Sequence, residues 1–370
     1  MTTSAGMNGD DRHRLPLAEL RAQIDDTDRK LLRLLDQRIE LAVRTSRLKP
    51  SVTDADREAD VMSRVQEAAY GLLSAEFVGG LYRAIIDEGK RLQARRPRLG
   101  GFQGEHGAWS EMALDRWDAS LVPVSCRSFA EVFEGVASGA FDRGIVPVEN
   151  SIGGSVIEVS DLLIETLLSI VGEVRLPVRQ CLLSLPGTTL REIRTVRSHP
   201  QALVQCRRFL AGHGITAVPF DDTAGAARWL AFDGIRGVGV IASPLAARLY
   251  GLEIIQEDVA DHLGNQTRFV VLARELHTGR ADKGSLVLTT DDRAGALVQA
   301  LGAFAARGVN LSRIESRPDR ERHGRSNFLV DFAGDAAADD VARALSDLTS
   351  QGVSYKVLGF YPSDSGGIPA

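Results

Sequence analysis

The eight residues Ala94–Gly101, ARRPRLGG, divide the chain into parts with different rhythms. Pro97 lacks an amide hydrogen and biases the residue before it away from helical geometry, so a helix must end here. Gly100 and Gly101 then punctuate the start of something new. Upstream, LAELRAQIDDTDRKLLRLLDQRIELAVRTSRLK (Leu17–Lys49) contains neither Gly nor Pro. Leu20, Ile24, Leu31, Leu34 and Leu41 recur at helical steps, which predicts one amphipathic helix of about 33 residues and ~50 Å. Pro50 breaks it, Asp54 is a cap signal for a shorter helix from near Ala55, and a third helix spans about Ser74 to Arg95. Three helices of such unequal length cannot close a compact core alone. The first is therefore expected to pair with a copy of itself.

Downstream, short apolar runs (GIVPV, LSIVGEV, GVGVIA, RFVVLA) alternate with helical stretches such as SFAEVFEGVASG and PQALVQCRRFLAGHG, the pattern of an α/β domain. A third rhythm begins at Lys283. Its order of strand, helix, strand, strand, helix, strand predicts a small ferredoxin-like βαββαβ domain of the α+β class.

A chain of 370 residues is long enough for two or three such domains. Its net charge of -5, with no basic stripe, excludes nucleic acid as the expected partner. No apolar run approaches the roughly 20 residues of a membrane span. The polar start MTTSAGMNGDDRHR has no apolar h-region and reads as a tail, not a signal peptide. Cys126, Cys181 and Cys206 are an odd number at wide spacings, which suits neither a disulfide framework nor a zinc site. A cytoplasmic protein with no metal and no cofactor is expected.

In the helical part Arg21, Arg38, Lys49, Arg57, Glu58 and Gln93 do not fit a plain core. Arg38 stands seven residues after Leu31, where the apolar seam calls for another leucine, and a buried unpaired guanidinium is costly. Either the helix is rotated and Arg38 is solvated, or Arg38 serves a ligand. On a continuous helix Arg38 and Lys49 share one face about 16 Å apart and could close on a small dianion. Arg21 lies about 42 Å from Lys49 and could serve only a site in a partner chain.

From about Leu17 to Gln93 this segment resembles the all-helical chorismate mutase domain fused to prephenate dehydratases. The resemblance implies that Arg21, Arg38, Lys49, Asp54, Arg57, Glu58 and Gln93 bind the substrate, Arg21 across a dimer. One position departs, Gly89, where the family usually has Ser. A Claisen rearrangement needs a folded conformer and stabilisation of the breaking ether oxygen. Lys49 and Gln93 would donate to that oxygen, the arginines would hold the carboxylates and Glu58 would accept from the ring hydroxyl.

Five stretches stand out in the α/β part. GFQGEHGAWSE (Gly101–Glu111) carries Ser110 at a glycine-rich helix start, a generic anion-binding arrangement. PVENSIGGSV (Pro147–Val156) puts Glu149, Asn150 and Ser151 just after a strand, where ligands of open sheets bind. SHPQALVQC (Ser198–Cys206) and DDTAGAA (Asp221–Ala227) offer Ser198 and Thr223 as helix caps. GNQTRF (Gly264–Phe269) ends a polar loop in Thr267, Arg268 and Phe269. Singly, each reads as a turn or a cap.

In this order, over about Leu99 to Glu275, they resemble a prephenate dehydratase catalytic domain. That implies two α/β subdomains around a cleft, similar to periplasmic binding proteins, lined by Ser110, Glu149, Asn150, Ser151, Ser198, Thr223, Arg268 and Phe269. Thr267 would donate to the departing hydroxyl, Arg268 would fork onto a carboxylate and Phe269 would pack where the strand enters the core. The GAWSE form also occurs in arogenate dehydratases, so the substrate stays open.

GALV (Gly295–Val298) and NLSRIESRP (Asn310–Pro318) resemble the ACT domain that senses phenylalanine. The resemblance implies an effector site at Gly295, Ala296, Leu297, Asn310, Leu311, Glu315, Ser316, Arg317 and Pro318. The whole then reads as a multidomain chain: helical mutase 15–96, α/β dehydratase 99–276 and ACT domain 283–362. It would convert chorismate to prephenate and prephenate to phenylpyruvate, under inhibition by phenylalanine, as a homodimer or higher oligomer. The alternatives are an arogenate dehydratase, a dehydratase with an inactive helical dimerisation domain, and a non-catalytic amino-acid-responsive binding protein. The Thr267–Arg268 pair argues against the last.

Overall fold

The computed structural model describes residues 17–47, 54–319, 322 and 324–364. The chain divides after Arg95 into two compact units. The first holds α1 (Leu17–Thr45), α2 (Ala55–Glu67) and α3 (Ala75–Ala94). α1 stops four residues before the expected end. The Thr45 and Ser46 hydroxyls donate back to the carbonyls of Ala42 and Val43 at 2.7 Å each, a local alternative to further helix. The eleven-residue face argument therefore does not reach Lys49, which lies outside the described residues. Asp54 caps α2, accepting from the Arg57 amide at 3.1 Å, and Ser74 caps α3, accepting from Phe77 at 3.2 Å. The apolar side of α1 stays open, with Leu20, Ile24, Leu31, Leu34 and Leu41 at 43–58% exposure.

The second unit opens with β1 (Leu99–Gln103), α4 (Trp109–Trp117), β2 (Val122–Cys126), α5 (Phe129–Ser138), β3 (Arg143–Asn150), β4 (Gly154–Ser155), α6 (Ile157–Glu165) and β5 (Ser169–Pro177). The chain then crosses to a second lobe: β6 (Cys181–Ser184), β7 (Thr195–Ser198), α7 (Pro200–Gln205), α8 (Arg207–Gly212), β8 (Thr216–Pro219), α9 (Thr223–Asp233), β9 (Val238–Ala242), α10 (Pro244–Tyr250) and β10 (Glu253–Gln256). It returns as β11 (Gln266–Ala273), which inserts between β3 and β5 to complete the first sheet, in the order β2-β1-β3-β11-β5 with β4 on β3. The second sheet runs β10-β6-β9-β7-β8. β11 is covered on both faces from Thr267 to Ala273, so its sequence is a nearly continuous apolar run instead of an alternation.

A βαββαβ domain follows: β12 (Lys283–Asp291), α11 (Ala296–Ala305), β13 (Leu311–Pro318), β14 (Arg325–Ala333), α12 (Asp339–Ser350) and β15 (Ser354–Tyr361). Its antiparallel sheet runs β13-β14-β12-β15. β15 presses on β5 so closely at Gly359 that a Cβ there would collide with the Ile170 carbonyl. The same domain grips α6. Lys356 Nζ donates to the carbonyls of Leu163 at 3.3 Å, Ile164, and Thr166 at 2.9 Å, at the end of the helix where carbonyls lack intrahelical partners. Arg317 forks onto Asp161 at 2.7 and 3.0 Å. Among the described residues, no helix is long and apolar enough to cross a membrane.

Candidate active sites

A cleft of about 450 Å³ opens between the two lobes of the second unit. Of the expected residues it gathers Ser110, Asn150, Thr223, Thr267 and Phe269. A β-bulge makes this possible. Thr267 pairs with Asn150 and Arg268 with Glu149, but Phe269 pairs with Pro147, so Val148 is skipped and both Pro147 and Asn150 face the cleft.

Asn150 sets the chemistry of Thr267. Its Oδ1 accepts from the backbone amides of Ile152 at 3.0 Å and Gly153 at 2.7 Å. Backbone donors cannot reverse, so the side-chain amide has one orientation, with Nδ2 facing Thr267 Oγ1 at 2.9 Å and Asn265 Oδ1 at 2.7 Å. Thr267 accepts that bond. Its own hydroxyl hydrogen is left to donate into the cleft.

The first residues of four helices line the same walls: Trp109 and Ser110 of α4, Phe129 of α5, Gln201 of α7 and Thr223 of α9. Helix N-termini carry partial positive charge and unpaired amides, which suits carboxylates. Among the described residues, neither Arg nor Lys lines the cleft, whereas Asp221 and Asp222 do.

Arg268 accordingly departs from its expected role. Successive strand residues point to opposite faces, so Arg268 is turned away from Thr267 and is only 3% exposed. Its Nε donates to Glu173 at 2.6 Å, Nη1 to Asp331 at 2.6 Å and Nη2 to the Tyr361 hydroxyl at 3.1 Å. Lys283 reaches the same Glu173 at 2.8 Å. Burial opposes the guanidinium's charge, but Asp331, Tyr361 and Glu173 outweigh it and raise its pKa. Burial likewise opposes ionisation of Asp331, yet Arg268 and Arg313 hold its carboxyl below the usual range. Arg268 thus ties β11 to the βαββαβ sheet, and its guanidinium lies outside the cleft.

Glu149 shares that rear face, 3.7 Å from both Arg268 and Arg313. Ser198 is fully buried, donates to the Ile241 carbonyl at 2.6 Å and does not line the cleft. The cap of α7 is His199, accepting from Gln201 at 3.2 Å, and the cap of α9 is Asp222, accepting from Gly225 at 2.6 Å; neither Ser198 nor Thr223 serves. Ser151 braces the strand start, accepting from the Gln266 amide at 3.0 Å. The sequence reading passed over Trp109, Gln180, Gln201, Gln205 and Asn265, all of which line the cleft, as does His199, which reads as a helix-terminus histidine and caps α7.

In the βαββαβ domain Gly295 caps α11 with φ 83°, a left-handed conformation that glycine adopts without strain. Ala296 is buried, and Leu297 and Leu311 pack on the core. Asn310 is exposed and its carbonyl accepts from Ala333 at 2.9 Å. Glu315 pairs with Arg313, while Ser316 and Pro318 are exposed on β13.

The helical unit has a cavity of its own, about 280 Å³, lined by Arg38, Asp54, Arg57, Glu58, Gly89, Lys90 and Gln93 among others. Lys90, not anticipated, meets Glu58 at 2.6 Å. Gln93 Nε2 is turned to α1, donating to Thr45 Oγ1 at 3.2 Å and to the Ala42 carbonyl. Arg38 sits over the Tyr82 ring at 5.8 Å. Arg21 is exposed on α1 and does not line this cavity. A Cβ at Gly89 would meet Ala42 Cβ at 3.5 Å, an ordinary contact, so packing does not demand glycine there.

The comparisons with known proteins follow the same division. Residues 20–94 match the family model for chorismate mutase type II, 101–277 that for prephenate dehydratase and 284–349 that for the ACT domain. The bifunctional chorismate mutase/prephenate dehydratase of Escherichia coli K12 is 33% identical over 95% of this chain and 97% of its own. This chain belongs to that bifunctional family. Arogenate dehydratase 2 of Petunia hybrida is 40% identical over 76% of this chain and 74% of its own. The prephenate dehydratase of Arthrobacter aurescens, solved in complex with L-Phe, superimposes with a TM-score of 0.67 at 32% identity, covering 74% of this chain and 92% of that one. A structure described as a quorum-quenching acylase, GqqA, gives 0.68 at 36% identity, covering 72% and 99%. For this member of the bifunctional family, the helical cavity falls in the mutase region and the inter-lobe cleft in the dehydratase region.

Proposed function

We propose that the chain rearranges chorismate to prephenate in the helical cavity, then dehydrates and decarboxylates prephenate to phenylpyruvate in the inter-lobe cleft, with phenylalanine as inhibitor through the ACT domain. The observation that carries the second step is the Thr267 hydroxyl, held by Asn150 so that its hydrogen is free to donate into the cleft. In that step the ring C–O bond breaks and the oxygen leaves with its electron pair, taking a proton to become water. The C–C bond to the ring carboxylate breaks as carbon dioxide leaves, and its electrons complete the aromatic ring. Thr267 stabilises the charge on the departing oxygen, and the starts of α4, α7 and α9 receive the carboxylates. In the mutase step Arg38 and Arg57 hold carboxylates, Lys49 serves the ether oxygen, Gln93 joins it once its amide turns from Thr45 and Ala42 to the ligand, and Glu58 takes the ring hydroxyl.

The exposed leucine stripe of α1 supports a homodimer through that helix, with Arg21 entering the partner's mutase site. Phenylalanine would sit at the ACT positions from Gly295 to Leu297 and Asn310 to Pro318.

A chorismate time course with prephenate and phenylpyruvate both followed, with and without phenylalanine, tests the whole reading. Formation of prephenate that is never consumed would remove the dehydratase; no prephenate at all would leave the helices as a dimerisation element. Lys49→Ala is expected to abolish the mutase step alone. Mixing Arg21→Ala with Lys49→Ala chains should restore part of it, since a mixed dimer regenerates one intact site; no recovery despite subunit exchange counts against the cross-chain role.

A further inference from the structure

The amide chain that orients Thr267 continues beyond it. Asn265 Oδ1 is occupied by Asn150, so Asn265 turns Nδ2 toward Gln205 Oε1, at 3.4 Å. Gln205 Oε1 is thereby an acceptor and takes a second bond from Gln180 Nε2 at 3.1 Å. The direction set by the amides of Ile152 and Gly153 is thus passed along three side chains, and it commits Gln180 Nε2 to Gln205 and leaves Oε1 as the end of the chain. That oxygen is buried and, among the described residues, has no hydrogen-bond partner. Gln180 lines the cleft, is 4% exposed, and stands where the chain crosses from β5 to β6. Its backbone is held by the Val259 amide at 2.9 Å and its side chain by the bond to Gln205. A buried acceptor without a donor is destabilising unless a ligand completes it.

We propose that Gln180 is a specificity-determining residue, whose amide carbonyl accepts from a nitrogen on the substrate side chain, so that the cleft takes the 2-amino analogue of prephenate, arogenate, as well as the 2-keto acid. This rests on the dehydratase reading above. Thr267 is paired with Leu176, and Gln180 follows four residues later, at most about 13 Å along the chain. A ring whose hydroxyl meets Thr267 carries its side chain at the para carbon, toward the other end of the amide chain. There the two substrates differ in one respect: a ketone only accepts hydrogen bonds, whereas an ammonium only donates. The walls point the same way. With Asp221 and Asp222 present and no Arg or Lys lining the cleft among the described residues, a substrate whose ammonium offsets one of its two carboxylates meets less repulsion than a dianion.

The test compares kcat/KM for the amino and keto substrates in full-length wild type, Gln180→Met and Gln180→Leu. Wild type is expected to use the amino substrate at least as efficiently as the keto substrate. Both replacements are expected to lower the amino-to-keto ratio by about tenfold or more, the scale of a lost hydrogen bond to a charged group. A ratio unchanged in the variants would show that Gln180 accepts from the shared ring hydroxyl or merely stiffens the crossing, and would overturn the proposal. So would a wild type that uses the keto acid alone, an outcome needing no variant and so independent of misfolding. Turnover of neither substrate would instead remove the dehydratase reading, and this inference with it.

Discussion

On the function proposed, the helical cavity and the inter-lobe cleft would each receive a substrate with two carboxylates, yet they are built from different materials. The first is lined by Arg38, Arg57, Lys90, Asp54 and Glu58. The second has hydroxyls, side-chain amides, Asp221 and Asp222 and the starts of four helices, with no lysine or arginine among the described lining. The difference follows from what each fold offers. Three long helices present their sides to a ligand, so charge must come from side chains. A two-lobed α/β fold presents helix ends, and there the backbone supplies the charge. Fixed dipoles in a closing cleft also spare the desolvation of a long cationic side chain.

The contrast can be broken most sharply at Thr267. Thr267→Ala should reduce dehydratase kcat by about 10²–10³, the usual loss of one transition-state donor, and leave mutase turnover intact. A parallel loss of both activities in a folded variant would refute separate sites. Arg268→Met comes next, but in a different measurement. It strands Glu173 and Asp331 without their shared cation, and removing one partner of a buried pair costs about 3–5 kcal/mol, read as a lower denaturation midpoint of the second unit. If instead stability holds and only substrate KM rises, Arg268 reaches the ligand after all.

Arg38→Ala should lower mutase kcat/KM by about 10- to 100-fold, with dehydratase values unmoved. Ionic strength then separates the sites without mutation. Going from 0.1 M to 1 M salt shortens the screening length from about 10 to about 3 Å. The mutase KM should rise severalfold while the dehydratase KM stays within about twofold; equal responses would erase the distinction drawn here. The smallest effect is expected at Gly89→Ser. The new side chain finds room beside Ala42, and replacing a mid-helix glycine should stabilise the first unit by less than about 1 kcal/mol, read as a slightly higher melting temperature, with a modest gain in mutase kcat/KM.

The three rhythms of the sequence were enough to lay out helices, α/β lobes and the βαββαβ domain, because each is a periodicity of apolar residues and periodicity survives without tertiary information. The sites were legible only where a local rule applied. Thr267 and Arg268 are neighbours in the chain, yet the pleat of a strand sends them to opposite faces. Reading both into one site ignored that alternation. Ser198 looked like the functional residue of its stretch because it precedes a helix, but it is the last residue of β7 and turns into the core. Gln201 and Gln205, one helical turn apart, carry the cleft-facing side, and their i, i+4 spacing was the signal available. Gln180 gave no signal: it follows Arg179 in a short polar link between strands, and only the direction of hydrogen bonds around it gives it meaning.

The hold of the C-terminal domain on α6 bears on how far a regulatory signal must travel. Val156, the N-cap of α6, lines the cleft, while Lys356 and Arg317 grasp the helix at its far end and its middle. Nine residues of helix make a rod of about 13 Å, stiff over that length. The contacts of the C-terminal sheet and the wall of the cleft are thus two ends of one short rigid element, and a displacement at one end would have no loop between them in which to dissipate.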